Sequence, residues 1–466
     1  MNSPQKIMVL VPDGVGLRNF VYSDFYKVAK TAGIDVLFWN DTAFDLKALG
    51  YREVRAGGVI HLKTHLLKTL RIEFDLTVNR ERTGDAIYDK YRFPFSYRNA
   101  KQVLKSLWMR TYLQLHSAKK GSAKVRTLIK QYERKTPYYR ECLELLEREK
   151  PELFFCTNQR IVRAIAPILA AQDLGIPTST FIFSWDNLPK ATMALEPDWY
   201  LVWSNHMKDE LLSYHPYIGP GQVLVTGTPQ FVPHYQQGRL QPRAEFLSAL
   251  GLDPGRRYIC FSGDDVTTSP NDAQYLSDTA DAVRRLNQKG HDLGLIFRRC
   301  PVDFSDRYDD VLARNRDVIT PADPKWQQAG ETWNTVLPTS EDLDFQLNTI
   351  AHTEMVINLG SSMVFDYAAF GKPCAYINYD VVNTLRKGWS VKTIYNFVHF
   401  RSMPAKNAVL WIDGPQELDA VILKGLQDPA ETVAAAREWF KKINAQPADL
   451  ASQRIIDAFK TILAAK

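Results

Sequence analysis

The stretch from Glu354 to Asp380, EMVINLGSSMVFDYAAFGKPCAYINYD, constrains this chain most, because it packs a strand, a turn, a helix and a second strand into one short run. Met355 to Ile357 is an apolar run suited to a buried strand. Gly360, Ser361 and Ser362 follow at once, and Val364, Phe365, Ala368 and Ala369 then keep helical spacing. Gly371 stops that helix, with Pro373 just beyond. A glycine lets backbone approach a ligand closely, two serines offer hydroxyls, and the unpaired N–H groups and dipole of a helix start favour an anion, phosphate first among them. Asp366 stands one helical turn past the serines, where a carboxylate can accept hydrogen bonds from the ribose hydroxyls beside a diphosphate. The same residues also fit an ordinary capped helix of an α/β domain with a solvated Asp366.

The rest of the chain repeats this alternation in two series. Ile7–Val11 reads as a buried strand, Pro12 to Gly16 as a turn, residues 17–32 as a helix and Asp35–Phe38 as the next strand, which is how a parallel doubly wound sheet opens. After a helical, charged interruption broken at Lys119-Lys120-Gly121-Ser122 and at Pro137, strands follow at Leu153–Cys156, Thr178–Phe183, Trp199–Trp203 and Val223–Val225. A second series begins at Tyr258–Phe261 and continues with Leu293–Phe297 and Val318–Pro321. A length of 466 residues exceeds what one hydrophobic core usually serves. We therefore expect two Rossmann-like domains: residues 1–231 with an insertion at about 51–150, a connection at 232–257 around Pro233, Pro242 and Pro254, a second domain at 258–430, and closing helices at 431–466.

Ligands of open α/β sheets sit beyond the carboxyl ends of the strands, and polar clusters fall there repeatedly. In the first series these are Asp13, Arg18 and Asn19, then Thr157-Asn158-Gln159, Ser184-Trp185-Asp186-Asn187 and Thr226-Gly227. The first turn is not a dinucleotide fingerprint, since Asn19 stands where a third glycine belongs. In the second series Arg298 and Arg299 follow a strand directly, and the planar fork of arginine suits bidentate contact with phosphate. Turn, cap and packing roles fit the loop residues equally, Trp185 included. Histidine and cysteine show no metal-ligand spacing, so no metal is expected.

The pattern SSMVFDYAAFGKPCAYINYD resembles the donor-binding segment of bacterial surface-polysaccharide glycosyltransferases of the GT-B type, which are distantly similar to CDP-glycerol glycerophosphotransferases and UDP-sugar 2-epimerases. SWDNLPK at 184–190, VTGTPQF at 225–231 and YNFVHFR at 395–401 resemble counterparts in the same transferases. The resemblance implies a GT-B architecture of two Rossmann-like domains, with acceptor loops in the first domain and the nucleotide-sugar donor in the second. It places the diphosphate at Gly360–Ser362 and Arg298 or Arg299, the ribose at Asp366, and candidate bases at Asp13, Asp186 and His399. Arg18, Asn19, Asn158, Trp185, Asn187, Thr226 and Gly227 would line the acceptor loops. The implied activity is sugar transfer from a nucleotide-diphosphate donor, a UDP-sugar first, to a cell-surface glycan or polyprenyl-linked acceptor, without a cofactor. A CDP-alcohol phosphotransferase of teichoic-acid type and a non-catalytic carbohydrate-binding scaffold share the pattern. The phosphotransferase would want a histidine in a glycine turn of the first domain, which is lacking.

Charge is unevenly placed. Residues 51–150 carry 23 Lys plus Arg against 11 Asp plus Glu, while the whole chain is only +6. Tyr88, Tyr91, Phe93, Phe95, Tyr97, Trp108 and Tyr112 interleave with that excess, a mixture suited to an anionic membrane surface or a lipid-diphosphate acceptor. A solvated helical face fits it as well. No nucleic-acid-binding fold signature accompanies it, and nucleic acid is not an expected partner. Five cysteines without C-x-x-C spacing indicate reduced thiols. With no signal-peptide pattern at the start and no long apolar run, the expected place is the cytoplasm, peripheral on the inner membrane face.

Overall fold

A strand with no polar face has to be covered on both sides, and Gln5–Val11 (β1) is: Ile7, Met8, Val9 and Val11 have no exposed surface. The computed structural model describes residues 4–328 and 336–465, and these divide into two units. The first comprises Met1–Pro229 with Leu450–Lys466, the second Gln230–Asp449.

In the first unit β1 lies inside a parallel sheet with Ile34–Asn40 (β2), Glu53–Val54 (β3), Leu153–Cys156 (β4), Thr178–Phe181 (β5), Trp199–Val202 (β6) and Val223–Val225 (β7). The spatial order is β3-β2-β1-β4-β5-β6-β7, every neighbouring pair parallel. The order reverses between β1 and β4. That is the topological switch point of a doubly wound sheet, where successive helices leave on opposite faces and open a crevice.

The interruption between β3 and β4 is helical: Leu62–Thr83, Ala100–Leu115, Ala118–Glu133 and Pro137–Glu149. Lys119 to Ser122, read from sequence as a break, lies inside the third of these helices. The cause is packing: a Cβ at Gly121 would stand 2.4 Å from the Phe74 ring, so the glycine is there to let the 62–83 helix approach. The two run antiparallel, as Ser122 Oγ donates to Asp75 at 2.5 Å while Thr64 Oγ1 donates to Glu133. The expected helix at 17–32 is also divided, into a π-turn at Leu17–Val21 and a helix at Phe25–Thr31. The last helix, Ala451–Ala464, packs on the first unit, with Phe459 edge-on to Phe155 at 5.0 Å and to Phe25 at 6.2 Å.

The second unit is built on Arg257–Ser262 (β8), Leu293–Arg298 (β9) and Ile319–Pro321 (β10). A small antiparallel pair follows, Gln327–Gln328 (β11) and Val336–Leu337 (β12), and then Val356–Asn358 (β13), Cys374–Ile377 (β14) and Leu410–Ile412 (β15). Its parallel sheet has the order β10-β9-β8-β13-β14-β15, so the switch point falls between β8 and β13. Residues 232–257, read as a connection, hold the end of a 3-10 turn at Pro229–Tyr235, a second at Gln237–Arg239 and the helix Arg243–Ala249. Phe246 and Leu247 of that helix are buried in the second unit's core with Tyr258 and Ile296.

Candidate functional site

Both switch points carry polar clusters. In the first unit Asp13 stands two residues past β1 and caps the following turn, Oδ1 accepting from Gly16 N at 2.9 Å. Its Oδ2 accepts from Asn158 Nδ2, beyond β4. Asn158 in turn accepts from Arg160 N at 2.9 Å. Gln159 Nε2 donates to Asn187 Oδ1 at 3.1 Å, and Asn187 Nδ2 donates to Asp186 Oδ1 at 2.8 Å. Ser184 Oγ and Lys190 Nζ also donate to Asp186. Asp13 and Asp186, far apart in sequence, thus belong to one network bridged electrostatically by Arg160, a residue the sequence reading passed over. Burial raises the Asp13 carboxyl above its usual range, against the bonds from Gly16 and Asn158 and the charge of Arg160.

The remaining first-unit candidates are mostly interior. Trp185, Asn187 and Thr226 are buried, Gly227 takes φ +76°, and Arg18 is half-buried in the π-turn. Asn19 is 1% exposed, and both polar atoms of its amide lack a hydrogen-bond partner among the described residues. A short π-turn of this kind is frequent at functional sites.

In the second unit the β8 and β13 loops face each other across the switch point. Gly360 takes φ +69°, and a Cβ there would meet Phe400 Cζ at 3.0 Å and Ile394 Cγ2 at 3.2 Å, so only glycine fits the turn. Asn358 Oδ1 accepts from Ser361 N at 2.9 Å, and Tyr376 Oη donates to Ser361 O at 2.8 Å. Ser361 and Ser362 are half-buried at the start of the helix Met363–Ala369. On the β8 side stands Asp264, also missed from sequence although the run Gly-Asp-Asp directly follows a strand. Burial raises its carboxyl well above the usual range, and Asp265 and Asp272 push it the same way. Its charge is felt by Tyr376 and Tyr395, the two tyrosines that back the Ser361 turn.

Three expected donor residues are engaged elsewhere. Asp366 is 2% exposed, and its Oδ1 pairs with His234 Nε2 at 2.8 Å, facing the interior rather than open to a ribose. Nothing near Asp366 in sequence announces that partner. Arg298 is buried and directs Nη2 at both oxygens of Asp342, at 3.0 and 2.9 Å, so its charge is already neutralised. Asp342 is itself held by Lys325 N at 2.8 Å and Trp326 Nε1 at 2.5 Å. Arg299 donates to Ser305 O at 2.8 Å and lies over the Tyr308 ring at 5.2 Å. Its carboxylate, Asp309, is 3.7 Å away and 69% exposed, a weak pair. His399 is buried between Phe397 and Phe400, with ring centroids at 6.1 and 4.3 Å, next to the aromatic wall of the Gly360 turn.

No protein-family model matches this chain, and no curated protein matches it by sequence. Its fold, however, is shared with solved structures over nearly the full length. A complex of S. aureus MnaA with UDP aligns with a TM-score of 0.54 at 12% identity, covering 99% of this chain and 98% of that one. A glycosyltransferase from Rickettsia africae aligns at 0.52 and 11% identity, covering all of both chains. A UDP-GlcNAc 2-epimerase from Methanocaldococcus jannaschii gives 0.52 at 12%, covering 98% and 99%. These likenesses establish the fold: two Rossmann-like units of the GT-B and 2-epimerase type.

Proposed function

We propose that this protein is a glycosyltransferase that moves a sugar from a nucleoside-diphosphate donor, a UDP-sugar first, to a cell-surface glycan or lipid-linked acceptor. One observation carries the reading: each sheet reverses its order at a point where glycine, serine, asparagine and aspartate converge beyond the strand ends. Such crevices are where doubly wound sheets hold nucleotides. The shared fold with the R. africae glycosyltransferase and the MnaA–UDP complex supports it.

The donor diphosphate is assigned to Gly360–Ser362, whose hydroxyls and helix start would meet the phosphate oxygens. Of the two arginines, Arg299 is the better clamp, because its partners are a carbonyl, a ring face and an exposed carboxylate, whereas releasing Arg298 would strand a buried Asp342. Leaving-group charge that develops during transfer would fall on these groups without a metal or other cofactor. The acceptor is assigned to the first unit, with Asp13 as base: burial raises its carboxyl above the usual range, which suits it better than an ordinary carboxylate to take a proton. Ribose recognition by Asp366 would require it to share its carboxylate with His234.

Thermal shift with UDP, GDP, CDP, CMP and their sugar conjugates tests the donor site. A nucleoside diphosphate should stabilise the protein, and Ser362→Asp, which sets a carboxylate against the phosphates, should weaken that ligand about tenfold or more. Asp13→Asn should keep donor affinity and lose transfer, and transfer should survive a chelator. No stabilisation by any nucleotide would overturn the reading in favour of a scaffold.

A second reading, favoured by the 2-epimerase fold of the M. jannaschii protein, is isomerisation of a nucleotide sugar. It needs no acceptor. Conversion of a UDP-sugar to its epimer by the protein alone, followed by NMR, would select it.

A further inference from the structure

We propose that the helix Ala100–Leu115 is an interfacial anchor that lays its outer face on an anionic lipid bilayer. The helix buries Ser106 and Met109 and leaves Leu104, Leu107, Trp108 and Leu115 exposed at 69, 52, 46 and 74%. At about 100° per residue, these four and Thr111 fall within an arc of about 100° opposite the buried face. A solvated surface helix shows the reverse pattern, with polar residues outward. This stripe is also not an isolated exposure: among the described residues, ten of the seventeen exposed large hydrophobic side chains lie from Leu49 to Leu115.

What covers the stripe follows from its borders. On the same helical count Lys101 and Lys105 flank it on one side and Arg110 on the other, placed for their stems to lie along apolar surface and their charges to reach lipid headgroups. From Lys90 to Tyr132 the chain has eleven Lys plus Arg and no Asp or Glu. The neighbouring helix extends the face. Lys105 lies close enough to His65 to disfavour its protonation, and Phe74 meets Tyr112 edge-on at 6.2 Å. The 62–83 and 100–115 helices therefore run side by side in the same direction, so Ile60 and Leu62, 40 and 64% exposed, stand at the Lys101 end of the stripe.

A second copy of this chain would bring like charges together across such a face. A nucleic acid would gain nothing from a row of leucines between the cations. A bilayer with anionic headgroups satisfies both the apolar centre and the basic rim. None of these residues belongs to the strand-end clusters, so the proposal stands or falls independently of the transfer reaction.

The experiment is co-sedimentation of the full chain with phosphatidylcholine vesicles, with and without phosphatidylglycerol, at low and high salt. Wild type should pellet with the phosphatidylglycerol vesicles, less so in salt, and remain in solution with phosphatidylcholine alone. Leu104→Glu, Leu107→Glu and Leu115→Glu together should lower the apparent affinity about tenfold or more at an unchanged melting temperature. Lys101→Glu, Lys105→Glu and Arg110→Glu together should do the same. The proposal is overturned if wild type does not pellet, if the leucine variant pellets like wild type, or if wild type is a vesicle-independent dimer that the leucine variant dissociates.

Discussion

Burial sets what the carboxylates at the strand ends can do, and Asp264 shows it most strongly. Its pKa in the fold lies well above the usual 3.8, first through burial and then through Asp265 and Asp272. Such a group favours the fold while it is protonated, so its contribution is full below the ordinary carboxylate range and is lost as pH rises through the folded value. Asp264→Asn, neutral at every pH, should therefore melt higher than wild type at neutral pH. The difference should close as the pH approaches 4; equal melting at neutral pH would show the carboxyl to be well solvated. For Asp366 the deciding feature is its partner. It pairs with His234 where both side chains are almost wholly buried, so Asp366→Ala leaves a ring nitrogen without a partner. That variant should lose about 1–3 kcal/mol in urea unfolding, and Asp366→Asn, which can still meet the ring, should lose less.

Elements were legible where burial is two-sided. β1, β4, β8 and β9 are continuous apolar runs, because helices cover both faces of a parallel sheet, and the glycine turn before the 363–369 helix is local chemistry that any reader of the sequence meets. The rest depended on partners far away in the chain. Gly121 looks like a helix break until Phe74, on another helix, is seen to need the space. Arg298 looks like a free phosphate clamp until Asp342 takes it. The helical insertion has its own hidden node. Glu196, just before β6, gathers Arg71, Arg126 and Lys130. Burial opposes ionisation there, but the three cations hold the carboxyl at about 2. Its stabilisation is present above the ordinary glutamate range and is lost as pH falls through that low value. Glu196→Gln leaves the buried Arg71 its bonds to Ala194 O and Tyr217 Oη but, for a countercharge, the more distant Asp75, and should cost about 3 kcal/mol or more at neutral pH. A loss below about 1 kcal/mol would mean that water replaces the carboxylate.

At the scale of the whole molecule, the second unit is one continuous segment, whereas the first is closed by residues from both ends of the chain. Phe459 supplies a face of the aromatic cluster formed by Phe25 and Phe155. A fragment of residues 230–449 should accordingly fold alone with a cooperative transition. A fragment ending at residue 229 should be open and prone to aggregate, and supplying the 451–464 helix as a peptide should rescue it. Circular dichroism melting of the three preparations decides the matter, and a cooperative melt of the 1–229 fragment by itself would refute the argument.

The same closure reaches back to synthesis. A ribosome delivers the first sheet early but makes the helix that seals it only after the whole second unit. The first unit therefore cannot finish folding until residues 230–449 have been made, against the usual order in which N-terminal domains fold first. Throughout that interval the aromatic face around Phe25 and Phe155 waits uncovered. It is the surface on which a nascent-chain chaperone would be needed, and a premature stop in the last helix should divert the protein to aggregation with its second unit already made.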